Sequence, residues 1–210
     1  MPLPDEPTGS LLTSATLLEK LRTPEDQASW QRFDARYRGL LQRFAQRAGL
    51  DEAAAQDVAQ EVSIDVVQAI QKFEYDRERC TFKGWLLTIA QRRIVDHRRR
   101  QQYKFAGQSV PRETKLDTTL TQAMPAADPA LEEAWREEWQ RHLLDSALDR
   151  VKTEVDPLQF QMFHLHVVHG QTVRQICTRL GVRGTAVYWA KYHVGKRLKK
   201  ALREIDGDEP

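Results

Sequence analysis

The sequence predicts an all-α protein made of two small helical domains joined by a flexible linker. Apolar residues recur at helical spacing over several long stretches, and no stretch shows the alternation typical of β-strands. Between Lys104 and Asp128 the periodicity gives way to proline, glycine and threonine. We therefore expect a polar tail over residues 1–27 with one short helical stretch, a domain over 28–103, a linker over 104–136, and a domain over 137–206.

Three helices are predicted in the first domain. The first extends from about Trp30 to Gly49, the second follows the N-cap residue Asp51, and the third covers about Thr81 to Tyr103. Each has one face of apolar residues spaced three or four positions apart, which predicts the domain core. These faces are Phe33, Tyr37, Leu40, Leu41, Phe44 and Ala48; Val58, Val62, Val66, Ile70 and Phe73; and Phe82, Leu86, Ile89, Ala90 and Ile94.

The polar faces of the second and third helices carry opposite charge. Asp57, Glu61 and Asp65 form an acidic stripe on the second helix, and it has no partner within that helix. The stripe therefore predicts a partner outside that helix. A polar loop precedes the third helix, whose outer face is basic. That face holds Gln91, Arg92, Arg98 and Arg99.

The second domain ends in a predicted helix-turn-helix. After an acidic helix and a helix from Asp156 to His169, Thr172 and Gln175 form a capping box and Gly181 ends the next helix. The last helix starts near Gly184. Its predicted inner face is Val187, Ala190, Val194, Leu198, Ala201 and Leu202, and its outer face is Trp189, Tyr192, His193, Lys196, Lys199, Lys200 and Arg203.

Charge along the chain favours a nucleic-acid partner. Two basic blocks, with surpluses of about six charges over 76–104 and about nine over 170–203, flank an acidic block over 128–156. No Asp or Glu occurs between Gly170 and Arg203. A cationic and partly aromatic helix behind a glycine turn suits the phosphate-lined major groove of DNA.

Several other classes are disfavoured. Cys80 and Cys177 match no metal or redox spacing, and on an ideal helix only His166 and His169 of the three neighbouring histidines share a face. No phosphate loop or nucleophile motif occurs, so we expect no enzyme activity, no cofactor and no metal. Without a signal peptide or an apolar span, we also expect a cytoplasmic protein with no membrane insertion.

The motifs of the first domain resemble conserved region two of bacterial RNA polymerase sigma factors. The resemblance rests on Asp57-Val-Ala-Gln60-Glu61-Val62, the charged loop after Phe73, and Thr81-Phe82-Lys83-Gly84-Trp85-Leu86 with Ile89-Ala90. The helix-turn-helix resembles region four. With a short linker in place of a middle domain, the chain is similar to the extracytoplasmic-function (ECF) sigma factors over roughly residues 28–103 and 137–205.

This resemblance implies partners and sites. It implies binding to core RNA polymerase, through its beta-prime and beta subunits, and recognition of the minus-ten and minus-thirty-five elements of promoter DNA to initiate transcription. An anti-sigma factor is left open as a further partner. The implied polymerase-binding residues are Asp57, Gln60, Glu61 and Asp65. The implied minus-ten residues are Tyr75, Lys83, Trp85, Gln91, Arg92, Arg98 and Arg99, and the minus-thirty-five residues are Arg174, Arg179, Arg183, Thr185, Tyr188, Trp189, Tyr192, Lys196, Arg197 and Lys199.

Alternatives remain for the roles of single residues and for the function of the whole chain. Trp85 suits core packing as well as base stacking, and the aromatic residues of the last helix suit a protein contact as well as DNA. The chain as a whole also fits a free-standing helix-turn-helix regulator of transcription, or a sigma-like adaptor that does not open promoters. The regulator leaves the acidic stripe and the second basic helix without a role.

Overall fold

The computed structural model describes residues 20–22, 26–70, 81–105 and 128–208. These residues form seven α-helices and one π-helical turn, and none of them is in a β-strand, which confirms the predicted all-α class. The helices are α1 (Gln27–Arg47), α2 (Glu52–Ala69), α3 (Phe82–Phe105), α4 (Pro129–Glu154), α5 (Pro157–Phe163), the π-helical turn His164–Val168, α6 (Val173–Leu180) and α7 (Gly184–Asp208).

The described chain divides into an N-terminal unit that ends at Arg141 and a C-terminal unit that begins at His142. Helix α4 begins at Pro129, inside the stretch predicted as linker, so residues 129–136 are helical. The apolar spacing that resumes at Leu131 and continues through Trp135 accounts for this early start. Residues 106–127 of the predicted linker and most of the tail lie outside the described residues.

In the N-terminal unit, the predicted apolar faces of α1, α2 and α3 form the core. Every predicted core residue on these helices that the structure describes is at most 5 % exposed. Asp26 accepts a hydrogen bond from the Ser29 amide, so α1 begins at Gln27, before the predicted start at Trp30. Asp51 caps α2 as predicted, accepting from the Ala54 amide.

The C-terminal unit contains the second part of α4 and helices α5 to α7. The predicted capping box is present: the Thr172 hydroxyl accepts from the Gln175 amide, and the Gln175 side chain accepts from the Thr172 amide. Gly181 ends α6 with φ of 67°, a left-handed conformation that favours glycine. Arg150 links α4 to α7 through an ion pair of 2.7 Å with Glu204.

The π-helical turn changes the register of the three neighbouring histidines. The His169 amide donates to the His164 carbonyl, five residues back, and these two imidazole rings meet with centroids 4.8 Å apart. The expectation that only His166 and His169 of the three share a face is therefore wrong, because His164 contacts His169. His166 instead places Nδ1 2.9 Å from the Gln171 carbonyl oxygen and lies beside Tyr188.

Candidate functional site

The acidic stripe of α2 is divided between exposed and internally paired residues. Asp57 and Gln60 are exposed, and Gln60 accepts a hydrogen bond of 2.9 Å from Arg38 on α1. Glu61 is partly buried at the boundary with α3, and Asp65 is 1 % exposed. A partner molecule can therefore reach Asp57, Gln60 and part of Glu61, but not Asp65.

Helix α3 supplies the counter-charges for the second part of the stripe. Arg100 forms a two-pronged ion pair with Glu61, with N–O distances of 2.8 and 2.6 Å. Arg93 makes a bidentate contact with Asp65 and lies 3.5 Å from Glu61. The stripe was predicted to need partners outside its own helix, and for Glu61 and Asp65 the neighbouring helix supplies them.

A shallow cleft follows the exposed edge between α2 and α3. It mixes acidic, basic and amide groups, which makes it suited to a polar protein surface. His97 and Gln101, which the sequence analysis did not single out, contribute to it, and their side-chain nitrogens lie 3.1 Å apart. The lining residues are Asp57, Gln60, Glu61, His97, Arg100 and Gln101.

The basic residues predicted on α3 differ in accessibility. Arg98 and Arg99 are exposed, while Lys83 and Arg92 are partly buried. Arg98 donates to the Ala48 carbonyl at the end of α1. The guanidinium of Arg99 lies 5.9 Å from the ring centre of Tyr103.

Trp85 and Gln91, also predicted as minus-ten residues, lie inside the N-terminal unit. Trp85 is 3 % exposed and packs against Phe82 with ring centroids 5.7 Å apart, whereas Gln91 is 6 % exposed. Gln91 directly follows Ala90 and precedes Ile94 by three positions, which puts it at the edge of the buried face. Neither side chain is presented to a nucleic acid. Tyr75 lies outside the described residues.

Helix α7 presents an aromatic surface to solvent. Tyr188, Trp189 and Tyr192 are 61 %, 49 % and 66 % exposed. The opposite face is fixed in the core of the unit, where Val187 and Ala190 are fully buried. Large aromatic side chains exposed in a group on one helix face are typical of a binding surface.

Imidazole rings extend this aromatic surface. His193 packs against Trp189 and Tyr192 with centroid distances of 4.0 and 5.2 Å, and His166 lies 6.5 Å from Tyr188. The contribution of His166 was not predicted, because it depends on the π-helical turn. A shallow groove at the start of α7 completes the surface, and it is lined by Val182, Arg183, Thr185, Ala186 and Trp189.

The cationic residues predicted for the helix-turn-helix lie on α6, on α7 and in the turn between them. All are exposed, as is Thr185 at the start of α7. Arg197 has a second contact, since it donates to the Glu154 carbonyl at the end of α4 with a distance of 2.8 Å. The exposed cations of this set are Arg174, Arg179, Arg183, Lys196, Arg197 and Lys199.

Residues 33–103 match the family model described as Sigma-70 region 2. The match supports a relationship of this chain to the sigma factor family. The matched stretch begins in α1 and ends in α3, so it contains the acidic stripe, the cleft and the basic face of α3. It supports a role in binding RNA polymerase and in promoter melting. No curated protein matches the chain.

Two further properties concern metal and membrane. Within residues 20–22, 26–70, 81–105 and 128–208, no three His, Cys, Asp or Glu side chains form a group that could hold a metal ion. In the same ranges, no helix is both long and apolar enough to cross a membrane.

The ion pairs of Glu61 are expected to make the stability of the N-terminal unit dependent on pH. Burial alone would raise the pKa of Glu61, but the hydrogen bond and charge of Arg100, with the charges of Arg93 and His97, lower it overall. A folded-state pKa below the unfolded value of about 4.3 stabilises the fold above that pH. This contribution is lost as the pH falls through the folded-state pKa.

We therefore expect Glu61→Gln to destabilise the domain near neutral pH, with the difference from wild type shrinking as the pH falls below about 4. Urea unfolding followed by circular dichroism between pH 3 and pH 7 measures this. Glu52→Gln, which removes an exposed carboxylate from the same helix, is the control. A difference that stays constant over the whole range would contradict the role assigned to the Glu61 charge.

Proposed function

We propose that this chain is an ECF sigma factor that binds core RNA polymerase and directs transcription initiation. In this proposal it recognises the minus-ten element through the region 2 domain and the minus-thirty-five element through a region 4-like helix-turn-helix. The observation that carries the proposal is the match of residues 33–103 to Sigma-70 region 2. The function requires no chemical step by the chain and implies a cytoplasmic location.

The proposed polymerase-binding surface is the exposed part of α2. Asp57 and Gln60 face solvent at the cleft, and Glu61 lies at its edge beside Arg100. We propose that this surface contacts the beta-prime subunit and that the beta subunit contacts the C-terminal unit. Asp65 is left out, because it is buried and paired with Arg93.

The proposed minus-ten surface is the basic side of α3. Lys83, Arg92, Arg98 and Arg99 are proposed to follow the phosphate backbone of the opened strand. Tyr75, in the loop that the sequence predicts before α3, is proposed as a base-stacking residue. Trp85 and Gln91 support this surface from inside the domain rather than by contact with DNA, given their burial.

The proposed minus-thirty-five surface is the exposed face of α7. Residues near its start, Arg183, Thr185 and Tyr188, are proposed to lie nearest the base edges of the major groove, with Trp189 and Tyr192 beside them. The exposed cations of α6, α7 and the turn between them are proposed to hold phosphates and so set the orientation on the duplex. Their exposure supports this assignment.

The same exposed face supports a second candidate, a free-standing helix-turn-helix regulator. Such a protein selects its DNA site without polymerase, whereas the separate DNA contacts of a sigma factor act together when both domains are held on one enzyme. The regulator gives no role to a Sigma-70 region 2 domain. Binding of core polymerase therefore separates the two candidates.

The test is the affinity of the full chain for purified core RNA polymerase. We expect Asp57→Ala/Gln60→Ala to weaken binding by about tenfold or more, because interface residues that anchor a complex each contribute above about 1 kcal/mol. Glu52→Ala/Gln56→Ala is the matched control, since it also removes one exposed carboxylate and one exposed amide from α2. Equal affinities for the two double variants would contradict the proposed polymerase surface, and no binding by the wild type would contradict the proposed function.

A further inference from the structure

The first part of α4, residues 129–141, packs against the region 2 domain through two tryptophans. Trp135 meets Phe44 edge-on with centroids 5.0 Å apart, and Trp139 stacks on Tyr37 at 6.2 Å with an interplanar angle of 21°. Both tryptophans are 2 % exposed. We call residues 129–141 the shield segment. The segment lies outside the stretch that matches Sigma-70 region 2.

Ion pairs hold the shield segment against the basic end of α1. Glu138 is 3 % exposed and contacts Arg43 at 2.8 Å and Arg47 at 3.5 Å. Glu137 pairs with Arg47. A nearly buried carboxylate facing two guanidinium groups gives the contact a defined register, because any shift of the segment would leave the Glu138 charge without its partners.

The shield segment also covers part of the proposed minus-ten surface. The Lys83 ammonium lies 5.6 Å from the ring centre of Trp139, and Lys83 is only partly exposed at the start of α3. A phosphate that approached Lys83 would meet the ring of Trp139. Steric exclusion therefore opposes nucleic-acid binding there.

We propose that the shield segment is an internal inhibitor of the region 2 domain, which occupies an aromatic and basic surface of α1 and α3 and must leave it for single-stranded DNA to reach Lys83. This inference rests on the proposed function, since it takes Lys83 as a DNA contact. Release uncovers Arg43 and Arg47 together with Lys83, and so adds cations to the same side of the domain. The alternative is that residues 129–141 are a permanent part of the fold, with no effect on DNA binding.

The test compares two charge reversals within the full chain. Glu138→Lys places a cation against Arg43 and Arg47 and is expected to release the segment. Glu133→Lys makes the same change of charge at an exposed position of the segment and is the matched control. Arg43→Glu combined with Glu138→Lys restores opposite charges across the contact and is expected to restore docking.

Two measurements are made on each variant. Hydrogen exchange of the amides in residues 129–141 reports release of the segment. Fluorescence anisotropy with a labelled oligothymidylate at fixed salt reports the affinity for single-stranded DNA. If release raises the binding-competent fraction from about one tenth to nearly all molecules, the dissociation constant falls about tenfold.

We expect the amides of the shield segment to exchange faster in Glu138→Lys than in Glu133→Lys. We also expect Glu138→Lys to bind the oligonucleotide about tenfold more tightly than Glu133→Lys. The charge-swapped variant should return toward wild type in both measurements, which also shows that the chain still folds. Unchanged exchange in Glu138→Lys, or faster exchange with the affinity of Glu133→Lys, overturns the proposal. Polymerase binding by the wild type, measured separately, then shows whether the proposed function still stands.

Discussion

Arg93→Ala is expected to lower the free energy of unfolding of the region 2 domain by about 3–5 kcal/mol, because it leaves a buried carboxylate without its partner. Asp65 is 1 % exposed and receives both hydrogen bonds of the Arg93 guanidinium, which also lies 3.5 Å from Glu61. Urea unfolding, with hydrogen exchange of the α2 and α3 amides, measures the loss.

The double variant Arg93→Leu/Asp65→Leu is expected to recover most of this stability, because replacing both members of a buried ion pair by apolar groups removes the unpaired charge. Arg99→Ala makes the same truncation at an exposed site of α3 and should change stability little. If Arg93→Ala were no more destabilising than Arg99→Ala, the ion pair would not hold α2 against α3 as the structure indicates.

The second large effect is expected for Ile176→Ala, which should lower the stability of the C-terminal unit. Ile176 is fully buried and holds α6 in a core with Met162, Leu165, Val187 and Ala190. Truncation of a buried isoleucine to alanine lowers the free energy of unfolding by about 2–5 kcal/mol, which is a large share of the total stability of a small domain. We expect hydrogen exchange of the α6 and α7 amides to accelerate by a corresponding factor.

Ile64→Ala is the matched control for this change. Ile64 is 46 % exposed on α2, so the same truncation leaves no cavity there and should have a small effect on stability. Protection of α6 and α7 that is unaffected by Ile176→Ala would show that the small apolar core does not hold the helix-turn-helix together.

Local signals in the sequence predicted the helices well because they act over a few residues. Asp51, Asp156 and Thr172 cap the helices that they were predicted to cap, and Gly181 ends α6. The inner face of α7 was predicted from its 3.6-residue period, and Val187, Ala190, Val194 and Ala201 are buried.

Contacts between helices could not be predicted from the spacing of residues within single helices. The partners of Glu61 and Asp65 lie 28 to 39 residues away on α3, and no spacing rule along α2 points to them. The docking of the shield segment on α1 likewise joins residues 90 or more positions apart. The π-helical turn also replaced the ideal helical spacing from which a face shared only by His166 and His169 was predicted.

Run-off transcription with purified core RNA polymerase on a promoter library tests whether this chain directs promoter-specific initiation. We expect specific transcripts with the wild-type chain, few with Asp57→Ala/Gln60→Ala, and normal amounts with Glu52→Ala/Gln56→Ala. The absence of specific transcripts with the wild-type chain, together with selective binding of a duplex site by the chain alone, would contradict the proposed function.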